Sequence, residues 1–281
     1  LHTAYRRQRQ MCIRDRVNKV LTIAGSDSLS GGGIQADLAT FEEYGVVGLS
    51  VISSIVTVQT DSFQIFPMDI NVIKAQLASV MSLNQIVAIK VGLLPTVDII
   101  NVVADCLSTI SIPIIIDPVM IFKETALKNG KSELTQVIRD RLLPLATVLT
   151  PNLNEAGLLT NTEIHNVDDM KQAARRLVGE GAKNVVIKGG ARLSGDVAVD
   201  VLFDGEEFTI FQNEKVITLV PYNNGAGCTF SASIAANMTG NDMRETIQDA
   251  KAFVLAGIKN GVALNDEFNV GNVWQAARRL G

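Results

Sequence analysis

KVLTIAGSDSLSGGGIQADLATFEEY, Lys19 to Tyr44, decides the fold. Lys19 to Ala24 is a short apolar run of the kind that forms a buried strand. Gly25 to Gly33 is a polar, glycine-rich loop. From Ile34 to Tyr44 the apolar residues Ile34, Leu38 and Phe41 return at helical spacing. A buried strand that runs through a loop into an amphipathic helix is the repeating unit of a parallel sheet.

The unit recurs down the chain. Strands are predicted over Leu49–Val58, Phe63–Phe66, Ile86–Val91, Pro113–Ile116, Thr147–Leu149 and Asn184–Ile187. Helices are predicted over Ile70–Met81, Val97–Leu107 and Leu134–Leu143, from Asn152 onward, and around Met170, Ala173, Ala174, Leu177 and Val178. Asp204-Gly205 marks a hairpin turn, and two long helices close the chain, about Ala226–Met238 and Met243–Val262. Apolar strands alternating with helices mean a mainly parallel sheet covered on both faces, an α/β fold in one domain.

The chain has 281 residues, 47% hydrophobic and 19% charged, with a net charge of −4. That length and apolar content fill a sizeable core. A mildly acidic chain with mixed charges gives no electrostatic case for nucleic acid or an anionic membrane as partner. Cys12, Cys106 and Cys228 are widely spaced and there are two histidines, which argues against disulfide scaffolding and zinc. No apolar run is long enough for a membrane span, so a cytoplasmic location is expected. Residues 1–16 are strongly basic, lack the apolar core of a signal peptide and begin without Met. They read as a non-native or disordered extension.

Chemistry concentrates in Asn223-Asn224-Gly225-Ala226-Gly227-Cys228-Thr229-Phe230-Ser231-Ala232-Ser233. Here a loop becomes a helix of small residues. Unpaired N–H groups and the helix dipole make such a terminus an anion site, and Gly225 and Gly227 let the backbone approach the anion closely. Cys228 falls in the first turn, where the same field favours thiolate. The plainer alternative is a small-residue helix packed on the sheet, with Cys228 an inert core thiol.

Ligands of open α/β sheets bind beyond the carboxyl ends of the strands. Asp27, Asp117, Asn152 with Glu155, and Lys188 stand there. Each has a structural reading: Asn152 and Glu155 as a helix capping box, Asp117-Pro118 as a turn, Lys188 as a solvated strand end. Together they suit phosphoryl transfer. Lys188 pairs with phosphate oxygens, while Asp117 and Glu155 hold Mg²⁺ directly or through water. Two nucleotide motifs fail. Gly31, Gly33 and Ala36 mimic a dinucleotide fingerprint, but the second strand has no acidic residue at its end for a ribose. Asn129-Gly130-Lys131-Ser132 ends like a P-loop, but Thr125 replaces the required glycine and no strand precedes it.

Six stretches in order carry a resemblance: AGSDSLSGGGIQADLATF (Ala24–Phe41), IKVGLLPT (Ile89–Thr96), DPVM (Asp117–Met120), TPNLNEA (Thr150–Ala156), IKGG (Ile187–Gly190) and NGAGCTFSA (Asn224–Ala232). Together they resemble the ribokinase-like kinases of vitamin precursors, the hydroxymethylpyrimidine (phosphate) kinases and the bacterial pyridoxal kinases, over about Val17 to Asn265. The resemblance implies a three-layer α/β/α ribokinase-like fold over 17–265, a C-terminal tail at 266–281, and a homodimer. It also implies MgATP-dependent phosphorylation of a hydroxymethyl group on a heteroaromatic ring. On matching positions, Gly225, Ala226 and Gly227 form the anion hole and Cys228 is the catalytic cysteine. Lys188, Asn152 and Gly189 serve ATP, Asp117 and Glu155 the Mg²⁺, and Asp27 the substrate ring.

Val58 falls where the pyrimidine kinases place a Gln. That and the GAGCTF spelling resemble the pyridoxal kinases more, with a hydroxymethylpyrimidine/phosphomethylpyrimidine kinase as the alternative. Two departures stand out. Asn224 replaces a His that many pyridoxal kinases carry, and Phe122 stands where many carry a lid cysteine. They motivate a third reading, a vitamin-binding sensor without catalysis.

Overall fold

In the computed structural model the described residues are 17–59, 62–120, 130–190, 192–217, 222–238, 240, 242–264 and 271–280. Residues 1–16 and Phe122 lie outside them.

The opening unit forms as β1 (Lys19–Asp27) and α1 (Gly33–Glu43). There follow β2 (Val47–Gln59), β3 (Ser62–Pro67), α2 (Ile70–Met81), β4 (Ile86–Val91), α3 (Val97–Leu107) and β5 (Ile114–Ile116). Then come α4 (Gly130–Val137), β6 (Val148–Leu149), α5 (Leu153–Thr160), α6 (Val167–Gly179), β7 (Asn184–Gly190), β8 (Val197–Phe203) and β9 (Phe208–Glu214). The last helices are α7 (Ala226–Asn237) and α8 (Met243–Lys259).

The nine strands form one sheet in the order β3-β2-β1-β4-β5-β6-β7-β8-β9. Its centre, from β2 to β7, is parallel; β3 and β8 run antiparallel to it, and β9 pairs antiparallel with β8 at the edge. One core joins Leu21, Ile23, Ile89, Val91 and Ile116 to residues of α2, α3, α5 and α6. The other joins Val20, Ala88, Ile115, Val148 and Val186 to residues of α1, α7 and α8. The alternation that splits the strands between two cores is what makes three layers.

Two helix expectations need correction. The regular helix predicted over Leu134–Leu143 gives way after Val137 to a π-type turn at Ile138–Leu142 and a 3-10 turn at Leu143–Leu145. Pro144 cannot supply the amide that a continuing α-helix needs. The last helix stops at Lys259 rather than Val262, because Gly261 packs against Tyr222, where an added Cβ would lie 2.2 Å from the Tyr222 Cβ. Beyond it, β10 (Val262–Ala263) pairs with β11 (Gly271–Asn272). Residues 271–280, within the segment set apart as a tail, therefore pack on the body. After β11, a 3-10 turn at Gln275–Leu280 follows, and Gln275 Nε2 donates to Thr229 Oγ1 of α7 at 3.0 Å.

Candidate active site

Alternation also sorts the polar residues. Thr22 of β1 and Lys90 of β4 share the sheet face covered by α1 and α7 with Ile115 of β5. Asp117, Thr150 and Lys188 follow on that face at the carboxyl ends of β5, β6 and β7. The bonds between them confirm it. Lys188 Nζ donates to Asp117 Oδ1 at 2.7 Å, Thr150 Oγ1 to the same oxygen at 3.4 Å, and Ser231 Oγ of α7 to Asp117 Oδ2 at 3.3 Å. Burial works against the Lys188 ammonium, but the facing carboxylates of Asp117 and Glu155 outweigh it and hold its pKa above the ordinary lysine value.

The N-terminus of α7 closes over this pair. Gly225 caps it at φ 86°, with no side-chain bond to the helix. Ala226 N–H turns back to Asn223 O at 3.1 Å, and the first helical bond is Thr229 N–H to Gly225 O at 2.8 Å. The amides of Gly227 and Cys228 are thus left without an intrahelical acceptor. A Cβ on Gly227 would stand 3.3 Å from Lys188 Nζ and 3.9 Å from Asp117 Oδ2, so amides and ion pair face one space. Of the three anion-hole residues expected, Gly227 offers its amide, Gly225 supplies the left-handed turn, and the Ala226 amide is already engaged.

The two glycine loops touch backbone to backbone. A Cβ on Gly225 would lie 1.7 Å from Gly31 O. The contact brings Gly33 N–H to Cys228 Sγ at 3.4 Å. Asn224 holds it in place: Nδ2 donates to Asn272 Oδ1 at 2.9 Å, and Asn272 Nδ2 reaches Leu29 O at 2.8 Å. Asn224 here ties the loops to the chain's end.

Cys228 departs from the thiolate expected at a helix N-terminus. Burial pushes its thiol up to about 11, against the lowering effects of Lys90 and the Gly33 N–H. The dipole of one helix turn does not offset removal from water.

Asn152 and Glu155 form the capping box in full. Asn152 Oδ1 accepts from Asn154 N at 2.9 Å and Glu155 N at 3.0 Å, and Glu155 Oε2 accepts from Asn152 N at 2.8 Å. Glu155 is also buried, and that burial pushes its carboxyl up to about 7, with Lys188 lowering it and Asp117 raising it. A carboxylate held off water beside another is the donor set of a hard divalent cation. Among the described residues there is no cluster of three or more His, Cys, Asp or Glu able to cage a metal. Mg²⁺ needs none, because it keeps waters and binds through one or two carboxylates plus phosphate.

Gly189 follows Lys188 at the end of β7. Its N–H is bonded to Asp200 Oδ1 at 3.0 Å, so it shapes the strand end after Lys188 and leaves no amide for a phosphate. Asp27 is also engaged by its own loop. Oδ1 accepts from Leu29 N at 2.9 Å, and Oδ2 from Gly31 N at 3.1 Å and Gly32 N at 3.0 Å. Val58 is half-buried on β2, two residues past the Asp27–Val56 pair, at the rim of that loop.

Sequence reading missed Asp37 and Lys90, both fully buried and paired at 2.8 Å. A signal existed for each. Lys90 is the single charge in the strand IVAIKV, and Asp37 falls between Ile34 and Phe41 on the buried stripe of α1, where Leu38 had been expected and is only half-buried. Ser231 and Asp200 carried no such signal.

A mostly parallel sheet covered by helices on both faces, with a helix terminus, a lysine–carboxylate pair and a thiol meeting beyond its strand ends, places the chain in the ribokinase-like class of α/β/α folds, as its structural neighbours do. The chain belongs to the phosphomethylpyrimidine kinase family, whose model matches residues 27–272. It is 44% identical to the pyridoxine kinase of Bacillus subtilis, over 94% of this chain and 98% of that protein. It is 40% identical to the hydroxymethylpyrimidine/phosphomethylpyrimidine kinase of Haemophilus influenzae, over 93% of this chain and 98% of that protein. Among solved structures, the ADP complex of Bacillus subtilis pyridoxal kinase superposes with a TM-score of 0.88 at 43% identity, covering 94% of this chain and 100% of that one.

Proposed function

We propose that this protein is an ATP-dependent kinase that phosphorylates the hydroxymethyl group of pyridoxal and pyridoxine. The observation that carries the reading is the meeting of the Gly227 and Cys228 amides, the Lys188–Asp117 pair and the Cys228 thiol at one end of the sheet. Identity to the Bacillus subtilis pyridoxine kinase supports the vitamer class, as does the apolar Val58 at the rim.

In this reading Lys188 and the α7 amides bind the ATP phosphates and neutralise charge as the γ-phosphoryl group moves. Asp117 and Glu155 would hold Mg²⁺, directly or through water, and the ion would supply positive charge against the phosphate oxygens. Asp27 faces the substrate ring, its carboxylate held by the amides of its own loop. The substrate O–H proton passes to the Cys228 sulfur, the freed oxygen bonds phosphorus, and the bond to the ADP oxygen breaks with its electrons leaving on ADP. The thiolate form of Cys228 is scarce at neutral pH, but it is a correspondingly strong base. An aromatic side chain at position 122, in place of a lid cysteine, would contribute only apolar cover and no nucleophile.

The protein is further proposed to act as a homodimer in the cytoplasm. Ile55 of β2 and Phe66 of β3 are cross-strand partners, 36% and 51% exposed, and a second copy would cover that apolar edge. Among the described residues no helix is long and apolar enough to cross a membrane.

The second reading, a hydroxymethylpyrimidine/phosphomethylpyrimidine kinase, is favoured by the 40% identity to the Haemophilus influenzae enzyme. ADP release measured with pyridoxal, pyridoxine and hydroxymethylpyrimidine separates the two. Turnover on either vitamer at least tenfold above hydroxymethylpyrimidine supports the first, and the reverse order overturns it. Tight vitamin binding with no ADP release with any of the three would instead mark a sensor.

A further inference from the structure

Lys90 of β4 and Asp37 of α1 are both without exposure and pair at 2.8 Å. Removing two charges from water costs several kcal/mol per ion, and packed apolar side chains of similar size serve stability as well or better. The pair is also incompletely satisfied. Asp37 Oδ2 accepts from Lys90 Nζ at 2.8 Å and from Thr22 Oγ1 at 2.6 Å, while the buried Oδ1 has no partner among the described residues. A pair kept at that cost and left unfinished calls for a role other than stability.

Its place supplies one. The Lys90 side chain runs along β4 toward the site end of the sheet. A Cβ on Gly92 would lie 2.7 Å from Lys90 Nζ, so the ammonium reaches the level of the loop after the strand. Asp37 lies one turn beyond Gly33 on α1, and Gly33 donates to Cys228 Sγ. The charged side chains gathered at the Cys228 end of the sheet come from four elements: Lys90 of β4 paired with Asp37 of α1, and Lys188 of β7 paired with Asp117 after β5, the second pair lying against Gly227. Lys188 and Asp117 face the space proposed for phosphates and Mg²⁺, so both are drawn on when substrate binds. Lys90 is sealed off from any phosphate.

We propose that Lys90 and Asp37 are a buried positioning pair for Cys228. The Lys90 ammonium is the fixed positive charge that favours the anionic sulfur, and Asp37 holds it in place while limiting how much of its field the sulfur feels. The pair touches no substrate and acts through Cys228. The assignment rests on the reading of Cys228 as proton acceptor, but it makes a claim about the thiol that can be tested without catalysis.

The test is the alkylation rate of Cys228 by iodoacetamide between pH 7 and 10, in a Cys12→Ser/Cys106→Ser background without nucleotide or vitamer. Below the thiol's pKa the rate tracks the thiolate fraction. Asp37→Asn leaves Lys90 unbalanced and is expected to speed alkylation about tenfold at fixed pH. Lys90→Met is expected to slow it about tenfold, the scale of one charge acting across a few ångströms of protein. A merely structural pair would move both variants in the same direction by loosening the site, or move neither, and either result overturns the proposal. Should a single variant fail to fold, the Asp37→Asn/Lys90→Met double variant decides, since it leaves no buried charge uncompensated. Its alkylation should be slower than in the parent, because in the proposal the Lys90 ammonium outweighs its Asp37 partner at the sulfur, and an equal or faster rate overturns the proposal. If Cys228→Ala keeps its turnover while the opposite alkylation shifts appear, the reading of Cys228 as base falls and the pair's effect on the thiol stands.

Discussion

Replacing Glu155 with Gln should make the free protein more stable at neutral pH and less responsive to MgATP. The carboxyl titrates near 4.5 when exposed and at about 7 in the fold, because burial disfavours its charged form. Between those values the folded protein holds a proton that the unfolded chain has released, so stability falls as pH rises across that window. At about 1.4 kcal/mol per pH unit the ionised carboxylate costs ~3 kcal/mol at pH 8, an upper bound because Asp117 and Lys188 adjust with it. Gln keeps an oxygen to accept from Asn152 N–H, so the capping box survives the change. Taking ~2 kcal/mol as realised, Glu155→Gln should raise Tm by about 4–8 °C at pH 8. The gain should shrink to nothing below pH 4.5, where both states of the wild type are protonated. The assay is thermal melting of both proteins from pH 4.5 to 8.5, first without ligands and then with saturating MgATP. With MgATP the wild type should recover the difference, since a hard cation at Glu155 removes the penalty. A Tm difference that stays constant across pH would refute the reasoning, because it would mean that Glu155 ionises in the fold without cost.

Other outcomes follow from the same site. Cys228→Ala should lower kcat at least ~100-fold with KM for ATP unchanged, and wild-type kcat/KM should climb with pH between 8 and 10 as the thiol deprotonates toward about 11; a flat profile there would remove Cys228 as the base. Lys188→Ala should raise KM for ATP and lower kcat together, read by initial rates at fixed vitamer, because a phosphate-pairing charge is lost from both ground and transition states. Gly225→Ala places a Cβ 1.7 Å from Gly31 O at φ 86°, and melting should show a loss of more than ~2 kcal/mol. At position 122, Phe122→Cys should raise kcat/KM for pyridoxal relative to pyridoxine by adding a nucleophile that an aldehyde can trap, while Phe122→Ala weakens both vitamers alike. A wild-type preference for pyridoxal abolished equally by both substitutions would refute that argument.

Local chemistry determined much of this protein. Apolar runs broken by glycine loops specify strands and helices by their period, so the α/β/α layering and most element bounds were legible from Lys19 to Leu107. The strand-end residues Asp117, Glu155 and Lys188 were legible too, because strand ends are where a parallel sheet exposes polar groups to a ligand. The tertiary structure decided how they act. Whether a thiol at a helix terminus ionises depends on the helix field against burial, and here the Gly32–Gly33 turn at the start of α1 closes over the sulfur. Asp37 and Lys90 are 53 positions apart, and only the pairing of β1 with β4 under α1 brings them together. That Asp200, on a neighbouring strand, binds the Gly189 amide was likewise visible only in the fold. The sequence lists the charges, but their protonation depends on distance and exclusion of water, which only the fold supplies.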